Sequence, residues 1–93
     1  VLRDYRFPRD DMRVIREYYR PRLGNLPPGL EKQLVRNGTL PPGLQKKLTP
    51  FPVELDRRFT PLPAGYSRFV VGTRAVVVDV TTNQVMDFFD LFN

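Results

Sequence analysis

The stretch Tyr66-Ser67-Arg68-Phe69-Val70-Val71-Gly72-Thr73-Arg74-Ala75-Val76-Val77-Val78-Asp79-Val80-Thr81-Thr82-Asn83-Gln84-Val85-Met86-Asp87-Phe88-Phe89 decides the fold. It is rich in β-branched and aromatic side chains, which suit a pleated backbone, and turn-forming residues interrupt it twice. Gly72-Thr73 and Thr82-Asn83 divide it into strands over residues 66–71, 74–80 and 84–89, a three-stranded antiparallel meander. Alternation puts Asp79 on one face with Val77, and Val76, Val78 and Val80 on the other. One face is expected to be core and the other wet or covered by a partner, a solvated face being the simpler reading. Three strands with an apolar face need a cover, and only the preceding residues can supply it.

Those residues read as short helices and a connector. Residues 49–63 alternate proline with apolar side chains (Pro50, Phe51, Pro52, Val53, then Phe59, Pro61, Leu62, Pro63), an ordered connector with one helical turn near 53–58. Before it lies an internal repeat: Leu26-Pro27-Pro28-Gly29-Leu30-Glu31-Lys32-Gln33-Leu34 recurs as Leu40-Pro41-Pro42-Gly43-Leu44-Gln45-Lys46-Lys47-Leu48. Proline suits the first helical turn, where its missing donor would be unpaired anyway. The first copy predicts a helix over about 28–36 with a left-handed cap at Asn37-Gly38, and the second a shorter helix ending before Pro50. Neither is long enough to stand alone, so both must dock through Leu30, Leu34, Leu44 and Leu48. Residues 9–20 predict a longer helix. Asp10 and Asp11 favour its N-terminal dipole, Met12, Ile15 and Tyr19 form its apolar face with Val14 and Tyr18 beside them, and Pro21 stops it.

Composition bounds the chemistry. The chain has 93 residues, 41% of them hydrophobic, with ten prolines and no Cys, His or Trp. One small domain is expected, divided into a helical part (1–48), the connector (49–63) and the meander (64–93). Without Cys there is no disulfide, thiolate metal site or cysteine nucleophile, and without His the usual general base and metal ligand are missing. No stretch approaches a membrane span and no signal peptide is present; a start at Val1 rather than Met is expected of a processed or trimmed product. The net charge of +5 is uneven: residues 1–58 carry thirteen basic and seven acidic side chains, residues 59–93 two and three. That asymmetry suits an anionic partner without choosing among nucleic acid, lipid headgroup and acidic protein.

The ordered series of motifs is similar to a known family. The tandem Leu-Pro-Pro-Gly-Leu segments, then Pro50-Phe51-Pro52-Val53-Glu54-Leu55, then Leu62-Pro63-Ala64-Gly65-Tyr66 and a Val-rich hairpin resemble the RcnB/CigR-like group of small bacterial envelope proteins. The likeness covers about residues 26–89, and the helix Arg13-Val14-Ile15-Arg16-Glu17-Tyr18-Tyr19-Arg20 resembles what often precedes the repeats. The resemblance implies a protein of the periplasm, or of the periplasmic face of the inner membrane, reaching the membrane only through a segment absent from this chain. It also implies a regulatory role: one branch is associated with nickel and cobalt homeostasis, the other with restraint of virulence, and neither is known as an enzyme. This chain departs from any metal-ligand pattern, and no functional residues carry over.

Each candidate site has a plainer reading beside it. Arg9, Arg13, Arg16 and Arg20 form a stripe at helical spacing that would contact phosphates, with Tyr5, Tyr18 and Tyr19 available to stack on bases. Interleaved Asp10, Asp11 and Glu17, with Asp10–Arg13 and Arg13–Glu17 at ion-pair spacing, favour a solvated helix face. The repeats would serve as a proline-fixed partner surface, or simply start two helices. Asp10/Asp11, Glu54/Asp56 and Asp87/Asp90 would suit a hard cation, but caps and surface charges explain them. Ser67, the only serine, has no histidine to activate it. An acid-based enzyme would need Asp79 or Glu54 in a pocket with another acid and a raised pKa. Asn37-Gly38-Thr39 matches a glycosylation acceptor that the cap explains. Phe88, Phe89, Leu91 and Phe92 crowd the C-terminus; if Phe89 is core, Phe88 and Phe92 offer an oligomer or partner surface, or the segment folds back under the helices.

The sequence thus predicts an α+β domain: an N-terminal helix and two short proline-initiated helices packed on a three-stranded antiparallel meander. The expected function is a non-catalytic envelope module that binds another envelope protein, with self-association open, in stress or metal-homeostasis regulation. No cofactor, metal or specific nucleic acid is expected. The alternative is an electrostatic binder of nucleic acid, anionic lipid or surface polymer through the arginine stripe. Arg9, Arg13, Arg16, Arg20, Phe88 and Phe92 are the candidate contact residues.

Overall fold

The computed structural model describes residues 6–23 and 34–92. Its elements are α1 (Arg9–Leu23), α2 (Pro42–Gln45), β1 (Thr49–Pro50), α3 (Val53–Asp56), β2 (Tyr66–Val71), β3 (Arg74–Asp79) and β4 (Gln84–Asp90). The architecture is α+β, but the sheet has four strands, not three. They lie in the order β1-β2-β3-β4, every neighbouring pair antiparallel. The extra strand sits inside the expected connector, where Thr49 pairs with Val70 and Pro50 with Phe69. Proline has no N–H to donate to a ladder, so it is tolerated there because β1 is the sheet edge.

Both faces of the sheet are covered, which corrects the expectation of one solvated face. Ala75, Val76, Val77 and Val78 are all fully buried. Ala75 and Val77 pack with Phe7, Ile15, Tyr19, Leu55 and Phe89 beneath α1 and α3. Val76 and Val78 pack on the other side with Val71, Val85, Leu34, Leu40 and Leu44. A strand buried on both faces reads as a continuous apolar run, as this one does. Leu34 and Leu44 dock as predicted, and Leu48 packs against the same cluster. Leu30 and most of the predicted helix over 28–36 lie outside the described residues. The described end of that segment, residues 34–36, is not helical. Asn37 is left-handed (φ 66°), but it closes a turn in which Gly38 N–H donates to the Val35 carbonyl, not a helix.

α1 also runs past its predicted stop, with Pro21 inside its last turn. A proline this close to the end removes little helical hydrogen bonding. Close by, Arg22 Nη1 donates to the Tyr18 carbonyl at 2.7 Å, and its guanidinium lies 3.8 Å from the Tyr18 ring centre. Gly72 turns β2 into β3 with φ 59°, a left-handed conformation that costs glycine nothing sterically.

Candidate functional site

The arginine stripe forms, but its four members do different things. Arg9, Arg13, Arg16 and Arg20 line a shallow groove of 450 Å³ along α1 together with Asp10 and Glu17. Arg16 Nε donates to the Asp90 carbonyl at 3.1 Å, and its guanidinium lies 5.0 Å from the centre of the Phe89 ring. Arg20 Nε donates to the Leu91 carbonyl at 3.1 Å. These two side chains tie α1 to the end of β4, so they hold the fold. Arg9 and Arg13 face solvent. Of the two ion pairs expected from spacing, Asp10–Arg13 forms at 3.7 Å between exposed side chains, a geometry that contributes little stability.

β4 is an edge strand, and backbone and side-chain donors occupy its outward carbonyls. Asn37 N–H donates to the Val85 carbonyl at 2.7 Å, and Val85 N–H donates back to Gly38 at 2.8 Å. Farther along, Arg36 Nη2 takes the Phe88 carbonyl and Arg16 takes that of Asp90. Guanidinium groups here stand where a neighbouring strand would bond, which protects an open edge from unwanted pairing.

The two C-terminal phenylalanines are parted by the sheet. Phe88 packs on the second core cluster, with Arg36 and Arg74 each 4.8 Å from its ring centre. Phe92 is 40% exposed, whereas the neighbouring Leu91 is fully buried. Asp90 Oδ1 accepts the Phe92 N–H at 2.9 Å and so shapes this end. Because Arg20 bonds the carbonyl of Leu91, Phe92 emerges beside the C-terminal half of the arginine stripe. The fold therefore sets Phe92 next in sequence to a carbonyl bonded by Arg20, and Phe88 on the other face of the sheet.

The carboxylates are mostly structural. Among the described residues, no group of three or more gathers to hold a metal ion. Asp79 Oδ1 accepts from the Thr81 N–H at 3.0 Å and the Thr81 hydroxyl at 2.6 Å. The Thr81 hydroxyl, with lesser help from backbone N–H groups, holds the Asp79 carboxyl below its ordinary value. That is the opposite of a raised proton-holding acid. Burial pushes the Asp11 carboxyl up; the Arg68 guanidinium pulls it back, and Asp10 pushes it further. Asp56 Oδ1 accepts from Arg68 Nη1 at 2.8 Å, and Arg68 Nη2 reaches the Thr60 carbonyl at 2.6 Å.

Asp87 is not a surface charge, contrary to the sequence reading. It is buried, and it accepts from the Phe7 N–H at 2.9 Å and from Arg36 Nε at 2.8 Å. Neither Phe7 nor Arg36 was a sequence candidate. The available signal was Asp87 itself, a charge set between Val85-Met86 and Phe88-Phe89, where alternation alone offers it no partner.

No family model matches the chain, and no curated protein matches it. Among solved structures, it is similar to the C-terminal domain of inner membrane protein CigR from Salmonella enterica. The two are 26% identical, with a TM-score of 0.70 over 89% of this chain and 88% of that one. The chain is CigR-like. Because the likeness spans nearly all of both chains, it includes the sheet together with its covers. Among the described residues, the CigR-like domain has no helix long and apolar enough to cross a membrane.

Proposed function

We propose that this CigR-like domain is a non-catalytic bacterial envelope module that binds another protein through the outer face of α1 and Phe92. The envelope assignment rests on likeness to a domain of an inner membrane protein. The observation that carries the contact surface is that Arg20, at the C-terminal end of a groove that exposed Arg9 and Arg13 also line, bonds the carbonyl next to exposed Phe92. A large apolar side chain beside arginines is the composition that protein interfaces favour. Regulation of a stress or metal-homeostasis response is the role proposed for that contact.

Electrostatic capture of a polyanion is the weaker reading. Asp10 and Glu17 share the groove with the arginines, and Arg16 and Arg20 are already bonded to main-chain carbonyls. Only two side chains of the stripe remain without such a bond, too few for a strong phosphate-tracking surface.

The test is affinity capture from bacterial envelope extract on the immobilised domain, eluted over a salt gradient. Wild type should retain a discrete protein through high salt, and Phe92→Ala should lose it. Retention of only nucleic acid, lipid or glycan, all released as salt rises, would overturn the protein-binding reading.

A further inference from the structure

Both methionines of the chain open onto one groove, Met12 from α1 and Met86 from β4. Phe7, Arg6, Arg36, Asn37 and Asp87 complete its lining, and its volume is 410 Å³. A β-bulge builds it. Val77 pairs with Asp87 and Val78 with Val85, so Met86 has no partner on β3. The extra residue breaks the alternation of β4: Val85 packs on the second core cluster, while the consecutive Met86 and Asp87 both turn toward the α1 side. Bulges often re-aim side chains in this way at functional sites.

The chemistry of the lining is specific. Met12 and Met86 are half-buried and present unbranched, polarizable thioethers, which adapt to a range of apolar shapes. Phe7 is held rigidly, with its N–H on Asp87 and its ring 4.8 Å from that of Phe89, edge to face. The charge of Asp87 is engaged by Arg36 and by the Phe7 N–H. Arg6 therefore adds positive charge at the mouth, beside Arg36 Nη1, the terminal nitrogen that bonds neither Asp87 nor the Phe88 carbonyl. Two guanidiniums at the mouth disfavour a metal cation among the thioethers, and they favour carboxylates.

We infer that this groove is an anchor pocket for an acidic peptide segment, taking one aliphatic side chain between Met12 and Met86 while flanking carboxylates meet Arg6 and Arg36. The inference rests on the protein-binding reading above and gives the partner a chemistry: a short acidic stretch with an apolar residue in its middle. The groove is an addition to the surface around Phe92, and it lies at the N-terminal end of the same helix.

The test uses the methionine methyl groups, because the chain has only two. The domain carrying ¹³C-methyl methionine is titrated with an acetylated, amidated pentapeptide, leucine at its centre and two glutamates on each side. Met12→Leu and Met86→Leu assign the two resonances. Both should shift saturably. A peptide with glycine for the central leucine should bind at least about tenfold more weakly, and Arg6→Glu should weaken binding of the parent about threefold. Arg6 is exposed, so its replacement leaves the core intact. If backbone resonances of Arg9 and Arg13 shift while both methyls stay fixed, the groove is not the anchor and the helix-face reading survives. Absence of any saturable shift also overturns the groove. Envelope capture retained by Phe92→Ala, with the peptide still bound, would instead overturn the surface around Phe92 and leave the groove standing.

Discussion

The backbone N–H of Phe7 donates to Asp87 Oδ2 at 2.9 Å, joining residues 80 positions apart. The other oxygen accepts from Arg36. One buried carboxylate thus fastens the segment before α1, the loop before Thr39 and the last strand. A buried donor that loses its partner costs more than the bond was worth, because water cannot replace it. Asp87→Ala should destabilise the domain by about 3 kcal/mol in urea denaturation, and Asp87→Asn by less, since an amide oxygen still accepts one donor.

Arg68 gives a second test of the same physics. Its side chain is only 6% exposed, and Asp56 is its carboxylate partner. Asp56→Ala removes the hydrogen-bonded counter-charge of a buried cation, with Asp11 left as the nearby carboxylate, and should cost about 2 kcal/mol. The pair Arg68→Met with Asp56→Leu should recover much of that loss, because replacing both partners removes the desolvation cost of the charges. Thermal denaturation of the three variants checks the order.

Much of this was legible in the sequence, and the gaps have physical causes. The run Ala75–Val78 announced a strand, though with one face expected to be solvated, and the punctuation at Gly72 and Asn83 placed the turns within a residue. Pro50 concealed β1, because proline argues against a strand everywhere except at an edge. The second cover was hidden as well: alternation shows which side chains share a face, not how many faces are buried. The Phe7–Asp87 bond and the Met86 bulge join or offset residues in ways that local spacing does not encode. In the stripe, spacing gave the alignment of Arg9, Arg13, Arg16 and Arg20. It could not show that Arg16 and Arg20 end on main-chain carbonyls of Asp90 and Leu91.

That division of labour is itself testable. Arg16→Gln and Arg20→Gln remove charge-assisted bonds to β4 and should each cost about 1 to 2 kcal/mol. Arg9→Gln with Arg13→Gln should change stability by less than about 0.5 kcal/mol, as exposed substitutions usually do. Chemical denaturation separates the two pairs, and only the second is then suited to binding experiments.

Stability should fall at both extremes of pH for nameable reasons. Asp79 is held below its ordinary value in the fold, chiefly by the Thr81 hydroxyl. Its contribution is present above the unfolded carboxylate value and disappears as pH falls below about 4 through the folded one. Thr81→Val should flatten that acid limb. At the other end, burial raises the Tyr19 hydroxyl from 10.0 to about 12, with the neighbouring Tyr18 adding to the shift and Arg22 opposing it. The unfolded chain releases this proton first, so stability should be lost between pH 10 and about 12. Tyr19→Phe should remove that alkaline loss. It should cost little at neutral pH, since the hydroxyl has no hydrogen-bond partner among the described residues. Denaturation midpoints across pH 3–5 and 9–12 test both limbs.

Photo-crosslinking at position 92 tests the central proposal most directly. A photoreactive side chain in place of Phe92, irradiated in the bacterial envelope, should give one discrete adduct that disappears when Arg9 and Arg13 are changed to Gln. The same group at Val53, an exposed apolar position on α3, serves as the control. No adduct at 92, or the same products from 92 and 53, would contradict the assignment of this face as the contact surface.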